Sequence, residues 1–122
     1  VATDLAQNFM NEHHMHLRSI RFDQIAAGTK TIEVRLNDQK RQQLKIGDSI
    51  QFINNDLPDH TITKTIQNIS KYSSLAELFQ NISLIEAGYP IGTSSEEATL
   101  DTSQYYDANE EMHLGVIAIF LS

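Results

Sequence analysis

A strict alternation of apolar and polar residues in TIEVRL, at 31–36, is the strongest constraint on the fold of this chain. Strand side chains point to opposite faces with a period of two, so the three aliphatic residues of this run share one face. The segments 44–54 and 62–69 alternate in the same way, and 114–121 is the most apolar run. These runs predict strands around a common core, whose main candidates are Ile32, Val34, Leu36, Ile50, Phe52, Val116, Ile117, Ile119 and Leu121.

Two segments carry the spacing of short amphipathic helices. In residues 21–27 apolar side chains recur at i, i+3 and i+4, and Gly28 follows where a left-handed C-cap belongs. Residues 74–81 repeat this spacing after a serine that can serve as the N-cap. The stretch 88–102 is rich in Ser, Thr and Glu and predicts a loop with room for one acidic helical turn.

The order of these elements predicts a single α+β domain, mainly β, over residues 1–122. With a further strand at 14–20, five or six strands alternate with helices of only two turns. This spacing favours a small closed or half-closed β-barrel over a doubly wound parallel sheet. Neighbouring strand residues cannot face one core, so Val116 and Ile117 should divide between the barrel interior and a covering helix. Residues 1–12 are expected to form a short helix or a frayed extension.

Charge is distributed very unevenly along the chain. All nine Lys and Arg residues lie between Arg18 and Lys71, whereas residues 72–122 hold eight acids and no Lys or Arg. The formal charge is therefore +3 over 18–71 (nine bases against six acids) in a chain of net −7. This predicts one positive site on a negative body, with an unevenly charged solvated surface as the simpler alternative. Long duplex DNA is a poor partner for such a chain, but a nucleotide or a short single strand is compatible with it.

Several classes of protein are excluded or disfavoured by what the sequence lacks. There is no Cys, no run of the ~20 apolar residues that span a membrane, and no basic-then-apolar leader. Neither a Walker loop nor a dinucleotide glycine pattern occurs. His13, His14 and His16 do not form a metal-ligand constellation, because only two would share a strand face and no carboxylate follows at ligand spacing. We expect a soluble, cytoplasmic protein with no cofactor, no metal and no membrane contact.

One motif, GTKTIEVR at 28–35, combines a helix-ending glycine with Lys, Glu and Arg at fixed spacing. Other segments carry the same pattern: HL at 16–17, NDQKR at 37–41, IGDSIQF at 46–52 and YYDANEEMHLGVI at 105–117. Together they resemble the ASCH domain, a branch of the PUA-like fold. This resemblance implies a small five- to six-stranded β-barrel with a cleft lined by Lys30, Glu33 and Arg35. It also implies RNA or modified nucleosides as the ligand class.

The resemblance raises an enzymatic alternative to binding alone. One bacterial branch of the family hydrolyses the N4-acyl group of acetylated cytidine, with a Lys at the start of the motif strand and a Thr nucleophile three residues later. Here Lys30 matches the Lys, but Glu33 occupies the nucleophile position. A nucleoside amidohydrolase or a ribonuclease would place these two residues in the reacting positions. A third alternative is a protein-interaction module that uses the acidic C-terminal half.

The chemistry of the motif suits recognition of a nucleotide. Thr31, Glu33 and Arg35 share one strand face, and Lys30 at its start is expected to swing over the mouth of the cleft. The set offers a planar fork for a phosphate or base edge, a mobile ammonium and an acceptor for an exocyclic amine. Replacing Lys30 or Arg35 by Met is expected to cost only the ~0.5 kcal/mol of a surface change. The alternative is a solvated salt bridge that contributes ~0–1 kcal/mol.

Neighbouring residues extend the predicted RNA- or nucleotide-binding site. Lys40 and Arg41 form a basic patch that either contacts phosphates or solvates a helical turn. Tyr105 and Tyr106 either stack on bases, at ~1–3 kcal/mol per base, or divide into one core ring and one half-exposed ring. His16 is expected to line the cleft or to be a hydrogen-bonded core residue.

Overall fold

In the computed structural model, which describes residues 10–122, five strands form one curled sheet. The strands are β1 (Glu12–Leu17), β2 (Ile32–Leu36), β3 (Ser49–Asn54), β4 (Thr61–Tyr72) and β5 (Val116–Leu121). Their order is β1-β3-β4-β5-β2, with β1 and β3 parallel and all other neighbours antiparallel. The first part of β4 pairs with β3 and the second part with β5. This one long strand therefore joins the two halves of the curl.

Four α-helices accompany the sheet in the described part of the chain: α1 (Ser19–Ala27), α2 (Leu75–Asn81), α3 (Ser95–Ser103) and α4 (Ala108–Leu114). A 3-10 turn, Arg41–Gln43, follows β2. The predicted left-handed cap after α1 is confirmed, since Gly28 has a φ of 80°. None of the helices in residues 10–122 is long and apolar enough to cross a membrane.

The hydrophobic core lies on both faces of the sheet. Inside the curl, Ile117 and Ile119 of β5 pack in a cluster with β1, α1 and β3. On the other face, Val116 packs with β2, α2 and α3. The predicted division of Val116 and Ile117 between two cores is confirmed, and all nine core candidates are buried. The aliphatic face of β2 belongs to the helical side, so its polar face, with Glu33 and Arg35, points into the curl.

The sheet does not close, so the expectation of a β-barrel is only partly correct. The two ends of the strand order, β1 and β2, are not paired with each other, and the fold is a five-stranded half-barrel of the α+β class. Side-chain hydrogen bonds take the place of the missing backbone pairing along both edges. The gap between these edges is where the candidate site lies.

Several boundaries differ from those predicted by sequence. The first strand is 12–17 rather than 14–20, because Ser19 already begins α1. The stretch 88–102 is not mainly loop, since α3 starts at 95, capped by the reciprocal Ser94–Glu97 hydrogen bonds of a capping box. The sequence of α3 has only a weak amphipathic pattern, and Ala98 is the one buried residue of this helix. Most of the predicted N-terminal extension, residues 1–9, lies outside the described residues.

Candidate functional site

A cleft of about 320 Å³ opens between the free edges of β1 and β2. Its walls come from β1, the start of α1, β2, and the segments 87–89 and 101–106. Four cations and two carboxylates line it: Arg18, Arg21, Lys30, Arg35, Glu33 and Asp101. The cleft therefore carries a formal charge of +2, four cations against two carboxylates, in a chain of net −7.

At the floor of the cleft, Lys30 and Arg35 hold the carboxylate of Glu33 from two sides. Lys30 Nζ lies 3.3 Å from Oε1, and Arg35 Nε and Nη2 each lie 2.8 Å from Oε2. Lys30 Nζ also donates to the carbonyls of Ile32 at 2.6 Å and Ala87 at 2.8 Å. The three donors of the ammonium thus have three acceptors, and Lys30 is only 4% exposed. The expectation of a mobile ammonium over the mouth is wrong.

Burial and ion pairing oppose each other in this trio. Burial alone would raise the pKa of Glu33, but the charges of Arg35 and Lys30, and their hydrogen bonds, hold that pKa below its usual value. Burial lowers the pKa of Lys30, against the attraction of Glu33. Burial alone would lower the pKa of Arg35, but the charge and hydrogen bond of Glu33, together with Tyr106 and Asp38, hold that pKa above its usual value. Glu33 is therefore ionised near neutral pH, and its lowered pKa makes it a weak base.

Arg35 and Lys40 satisfy two backbone carbonyls on the free edge of β1. Arg35 Nη2 donates to the carbonyl of His16 at 2.9 Å, and Lys40 Nζ donates to the carbonyl of His14 at 2.8 Å. The carbonyls that face β3 belong to the odd-numbered residues, since those of Asn11 and Leu17 accept from the backbone N–H groups of Ser49 and Asn55. The carbonyls of His14 and His16 therefore point away from β3. Two cationic side chains therefore occupy positions that a neighbouring strand would use.

The free edge of β2 is satisfied in a similar way. The carbonyl of Ile32 accepts from Lys30 Nζ, and the carbonyl of Val34 accepts from the Tyr106 hydroxyl at 2.9 Å. The backbone N–H of Ile32 donates to the carbonyl of Glu86 at 3.0 Å. Burial raises the pKa of Tyr106 to about 12, so the hydroxyl keeps its proton and its donor role at neutral pH.

One wall of the cleft is built around Arg21. Its Nη1 donates to the carbonyl of Gly88 at 2.8 Å and to Gln24 Oε1 at 3.1 Å, and its Nη2 lies 3.6 Å from Asp101 Oδ2. The guanidinium also lies over the ring of Tyr89, 4.9 Å from the centroid. Gly88 has a φ of +101°, and a Cβ there would meet Arg21 Nη1 at 2.6 Å. The positive φ favours glycine here, and a Cβ would force the ends of the Arg21 and Gln24 side chains to move.

The mouth of the cleft carries an exposed aromatic ring with a cation on its face. The guanidinium carbon of Arg18 lies 4.7 Å from the centroid of the Tyr105 ring, which is 55% exposed. His16, also exposed, lines the same cleft and pairs its Nδ1 with Asn55 Oδ1 at 3.1 Å. Tyr106 is half-buried and donates to a backbone carbonyl, whereas the ring of Tyr105 is exposed, and stacking of a base on either tyrosine stays a prediction.

The structure separates the remaining predicted residues from the cleft. Lys40 binds the edge of β1, and Arg41 pairs its Nη1 with Asp38 Oδ2 at 2.9 Å while lining a different cavity. Among residues 10–122, no group of three His, Asp or Glu side chains is placed to hold a metal ion. The motif residues Lys30, Glu33 and Arg35 are brought together as their spacing predicted, and their role in binding stays a prediction.

The lining residues that sequence reasoning missed include two arginines, a tyrosine and a carboxylate: Arg18, Arg21, Tyr89 and Asp101. A signal was present for the two arginines. They lie three residues apart at the start of a helical segment, so they share one helix face, and both belong to the basic part of the chain. For Tyr89 and Asp101 the sequence offers no such signal, because both reach the cleft through tertiary packing.

Comparison with solved structures gives two relatives with 32% sequence identity. The crystal structure of the hypothetical protein PH0355 has a TM-score of 0.78 and aligns over 91% of this chain and 97% of that chain. The solution NMR structure of protein PF0455 from Pyrococcus furiosus has a TM-score of 0.70 and aligns over 91% and 96%. The crystal structure of ASCH from Zymomonas mobilis is 15% identical, with a TM-score of 0.64 over 92% of this chain and 67% of that chain, and supports the fold alone.

No protein in the curated set matches this chain. The family model for the ASCH domain matches residues 15–119, which include every strand except the first three residues of β1 and the last two of β5. This chain belongs to the ASCH domain family.

Proposed function

We propose that this protein binds RNA or a modified nucleoside in the cleft between β1 and β2. The observation that carries the proposal is the exposed ring of Tyr105 at the mouth of the cationic cleft, with the guanidinium of Arg18 on its face. Bases stack on aromatic rings and on guanidinium planes alike, and such stacking tolerates any base. A base can therefore enter beside Tyr105 or replace the ring on Arg18.

Charge supports an anionic ligand at this place. The cleft has a formal charge of +2, whereas the C-terminal residues 72–122 have a formal charge of −8. An anion is therefore attracted to this opening and repelled by the acidic C-terminal residues. A volume of about 320 Å³ lies at the lower end of the range for small-ligand sites, which suits one base or nucleoside better than a duplex.

The contacts of the motif residues favour binding over hydrolysis. Lys30 Nζ is held by three acceptors, and Glu33 is held in its ionised form by two cations. Neither group offers a free nucleophile or a strong base to a substrate. In binding, Glu33 positions the guanidinium of Arg35, which lines the cleft.

The test is binding of a short single-stranded RNA, measured by fluorescence anisotropy at several salt concentrations. Arg18→Met and Tyr105→Ala should each weaken binding about tenfold, the effect of losing about 1.4 kcal/mol. Tyr105→Phe keeps the ring and should bind like wild type. Lys64→Met removes one charge from β4 outside the cleft and is the matched control for Arg18→Met. The slope of log affinity against log salt concentration should fall by about one, the loss of one phosphate contact, in Arg18→Met only.

Unchanged affinity in both Arg18→Met and Tyr105→Ala, at low and moderate salt, would refute the proposal and direct attention to the acidic C-terminal half. Incubation with N4-acetylcytidine tests the hydrolytic alternative in the same preparations. Release of cytidine by wild type, and its loss in a folded Glu33→Gln variant, would make the protein an amidohydrolase rather than a binding module.

A further inference from the structure

The polar groups that line the cleft fall into two sets, those that the fold already uses and those that it leaves for a ligand. Lys30 Nζ has three acceptors, and both oxygens of Glu33 are held by cations. The Tyr106 hydroxyl donates to the carbonyl of Val34. A ligand must therefore be recognised by the lining groups that remain.

Asp101 is the second carboxylate of the cleft, and only one of its oxygens is engaged. Oδ2 accepts from the Tyr89 hydroxyl at 2.7 Å and lies 3.6 Å from Arg21 Nη2, whereas no residue in 10–122 donates a hydrogen bond to Oδ1. The Asp101 side chain is 40% exposed, against 7% for that of Glu33, and it lines the cleft. Asp101 therefore retains an acceptor that a ligand in the cleft can use, and Glu33 does not.

The hydroxyl of Tyr89 fixes the orientation of this carboxylate. It lies 2.7 Å from Asp101 Oδ2 and 2.8 Å from Thr102 Oγ1. Burial raises the pKa of Tyr89 to about 12, so the hydroxyl keeps its proton at neutral pH and donates it to the carboxylate. The ring is itself held edge-on against Phe79, with 5.8 Å between the centroids. An acceptor that is fixed in this way binds a ligand without a further cost of ordering.

A carboxylate acceptor distinguishes the bases by the groups on their edges. Cytosine, adenine and guanine carry an exocyclic amine, which donates to Asp or Glu, whereas uracil has a carbonyl acceptor where cytosine has its amine. A carbonyl that faces a carboxylate leaves two acceptors without a donor, and a site of this kind rejects the analogue that lacks the donor. Phosphate is also disfavoured beside Asp101, because like charges repel.

We propose that Asp101 makes the cleft selective for a base that carries an exocyclic amine, and against uracil. The amine donates to Asp101 Oδ1, and the guanidinium groups of Arg18 and Arg35, which line the same cleft, hold the phosphate or the face of the base. This inference rests on the function proposed for the cleft, and it names the class of base that the cleft accepts.

Asp101 could instead serve only to hold Arg21, and the two roles differ in the expected effect of Asp101→Asn. An amide offers uracil a donor and removes one negative charge from the cleft, so binding of uridine should strengthen while binding of cytidine weakens. Loss of a partner that only holds Arg21 would weaken both by the same factor. The ratio of the two affinities therefore reports on recognition of the base.

The first experiment compares two short single-stranded RNAs, one of cytidine and one of uridine, by fluorescence anisotropy at neutral pH. Wild type should bind the cytidine RNA about tenfold more tightly, and Asp101→Asn should bring the two affinities to within about twofold. An RNA of adenosine against one of purine riboside, which lacks the amine, repeats the comparison with a larger base. Glu96→Gln removes an exposed acidic charge from the same helix outside the cleft and should keep the wild-type preference.

The second experiment uses Tyr89→Phe, which changes no charge. The variant retains the Asp101 carboxylate but removes the hydroxyl that fixes it. The preference for the cytidine RNA should fall about threefold, with the affinity for the uridine RNA unchanged. An equal loss of affinity for both RNAs would contradict the role of Tyr89 in positioning the acceptor.

The outcomes separate this inference from the function on which it rests. If wild type binds both the cytidine and the uridine RNA with equal affinity, the inference is overturned and the function of the cleft stands. A wild-type preference that persists in Asp101→Asn would also overturn it, because another group would then read the amine. If wild type binds none of the four RNAs, the proposed function fails, and this inference fails with it.

Discussion

Replacing Lys30 by Met is the sharpest test of how the open edges of the half-barrel are held. Met retains most of the aliphatic stem but removes Nζ, which serves the carbonyls of Ile32 and Ala87 and the carboxylate of Glu33. The earlier expectation of a surface-like change of ~0.5 kcal/mol is wrong in its premise, because Lys30 is only 4% exposed. The variant should be clearly destabilised.

The magnitude follows from the partners that are left behind. Each buried carbonyl that loses its donor costs about 1–3 kcal/mol, and breaking a buried ion pair from one side costs about 3–5 kcal/mol. These costs overlap, and Arg35 still holds Glu33 Oε2 at 2.8 Å, so the lower end applies. We expect a loss of about 3 kcal/mol in the free energy of unfolding. For a domain of this size this corresponds to a fall in Tm of roughly 10 °C.

Urea and thermal unfolding followed by circular dichroism measure this loss, and an unchanged m-value would show that the unfolded state is the same. Lys64→Met is the control, because it makes the same chemical change on β4 outside the cleft. If the free energies of unfolding of Lys30→Met and Lys64→Met agree within about 0.5 kcal/mol, the contacts of Nζ with its three acceptors do not stabilise the open edges of the sheet.

Two further substitutions probe pH dependence and backbone geometry. Asp48 is 2% exposed, and although burial would raise its pKa, the hydrogen bonds from His13 and two backbone N–H groups hold that pKa below its usual value. As pH falls, the unfolded chain takes up this proton before the folded chain does. The contribution of Asp48 to the free energy of unfolding is therefore present above about pH 4 and lost as pH falls through the lower folded pKa. Asp48→Asn should flatten this acid decline in stability, and parallel pH profiles of the variant and wild type would contradict it. Gly88→Ala should lower the free energy of unfolding by about 1–3 kcal/mol and weaken RNA binding by displacing Arg21. Gly92→Ala is the control, because Gly92 has a φ of +92° but open space for a Cβ, and it should leave RNA binding unchanged. Equal RNA affinities of the two variants would refute the clash with Arg21.

The strands and the motif were predictable because their signals are local. Alternation in 31–36 placed the aliphatic residues on one face, and the same period placed Glu33 and Arg35 together on the other. The left-handed cap at Gly28 and the N-cap before α2 also follow from single residues. Helix α3 was predicted only as one acidic turn within a loop; Ser94 and Glu97 carry the local signal of its N-terminus, but its few apolar residues weaken the pattern.

What the sequence could not reveal is the set of contacts that fix the candidate site. The hydrogen bond from Lys30 to the carbonyl of Ala87 spans 57 residues, and that from Tyr106 to the carbonyl of Val34 spans 72. Such contacts depend on how the segments after α2 pack on β2, which no periodicity encodes. For the same reason the sequence placed an exposed, mobile ammonium where the structure has a buried, saturated one.

The half-open sheet links stability to recognition. In a closed barrel, backbone groups of β1 and β2 would satisfy each other, whereas here Lys30, Arg35, Lys40 and Tyr106 satisfy them with side chains. Of these side chains, the cations Lys30 and Arg35 also line the cleft, so groups that satisfy the strand edges contribute to its positive charge. A substitution in the motif should therefore lower both the stability of the fold and the affinity for the ligand. A change at Tyr105 should disturb the ligand alone, because its exposed ring contributes nothing to either edge.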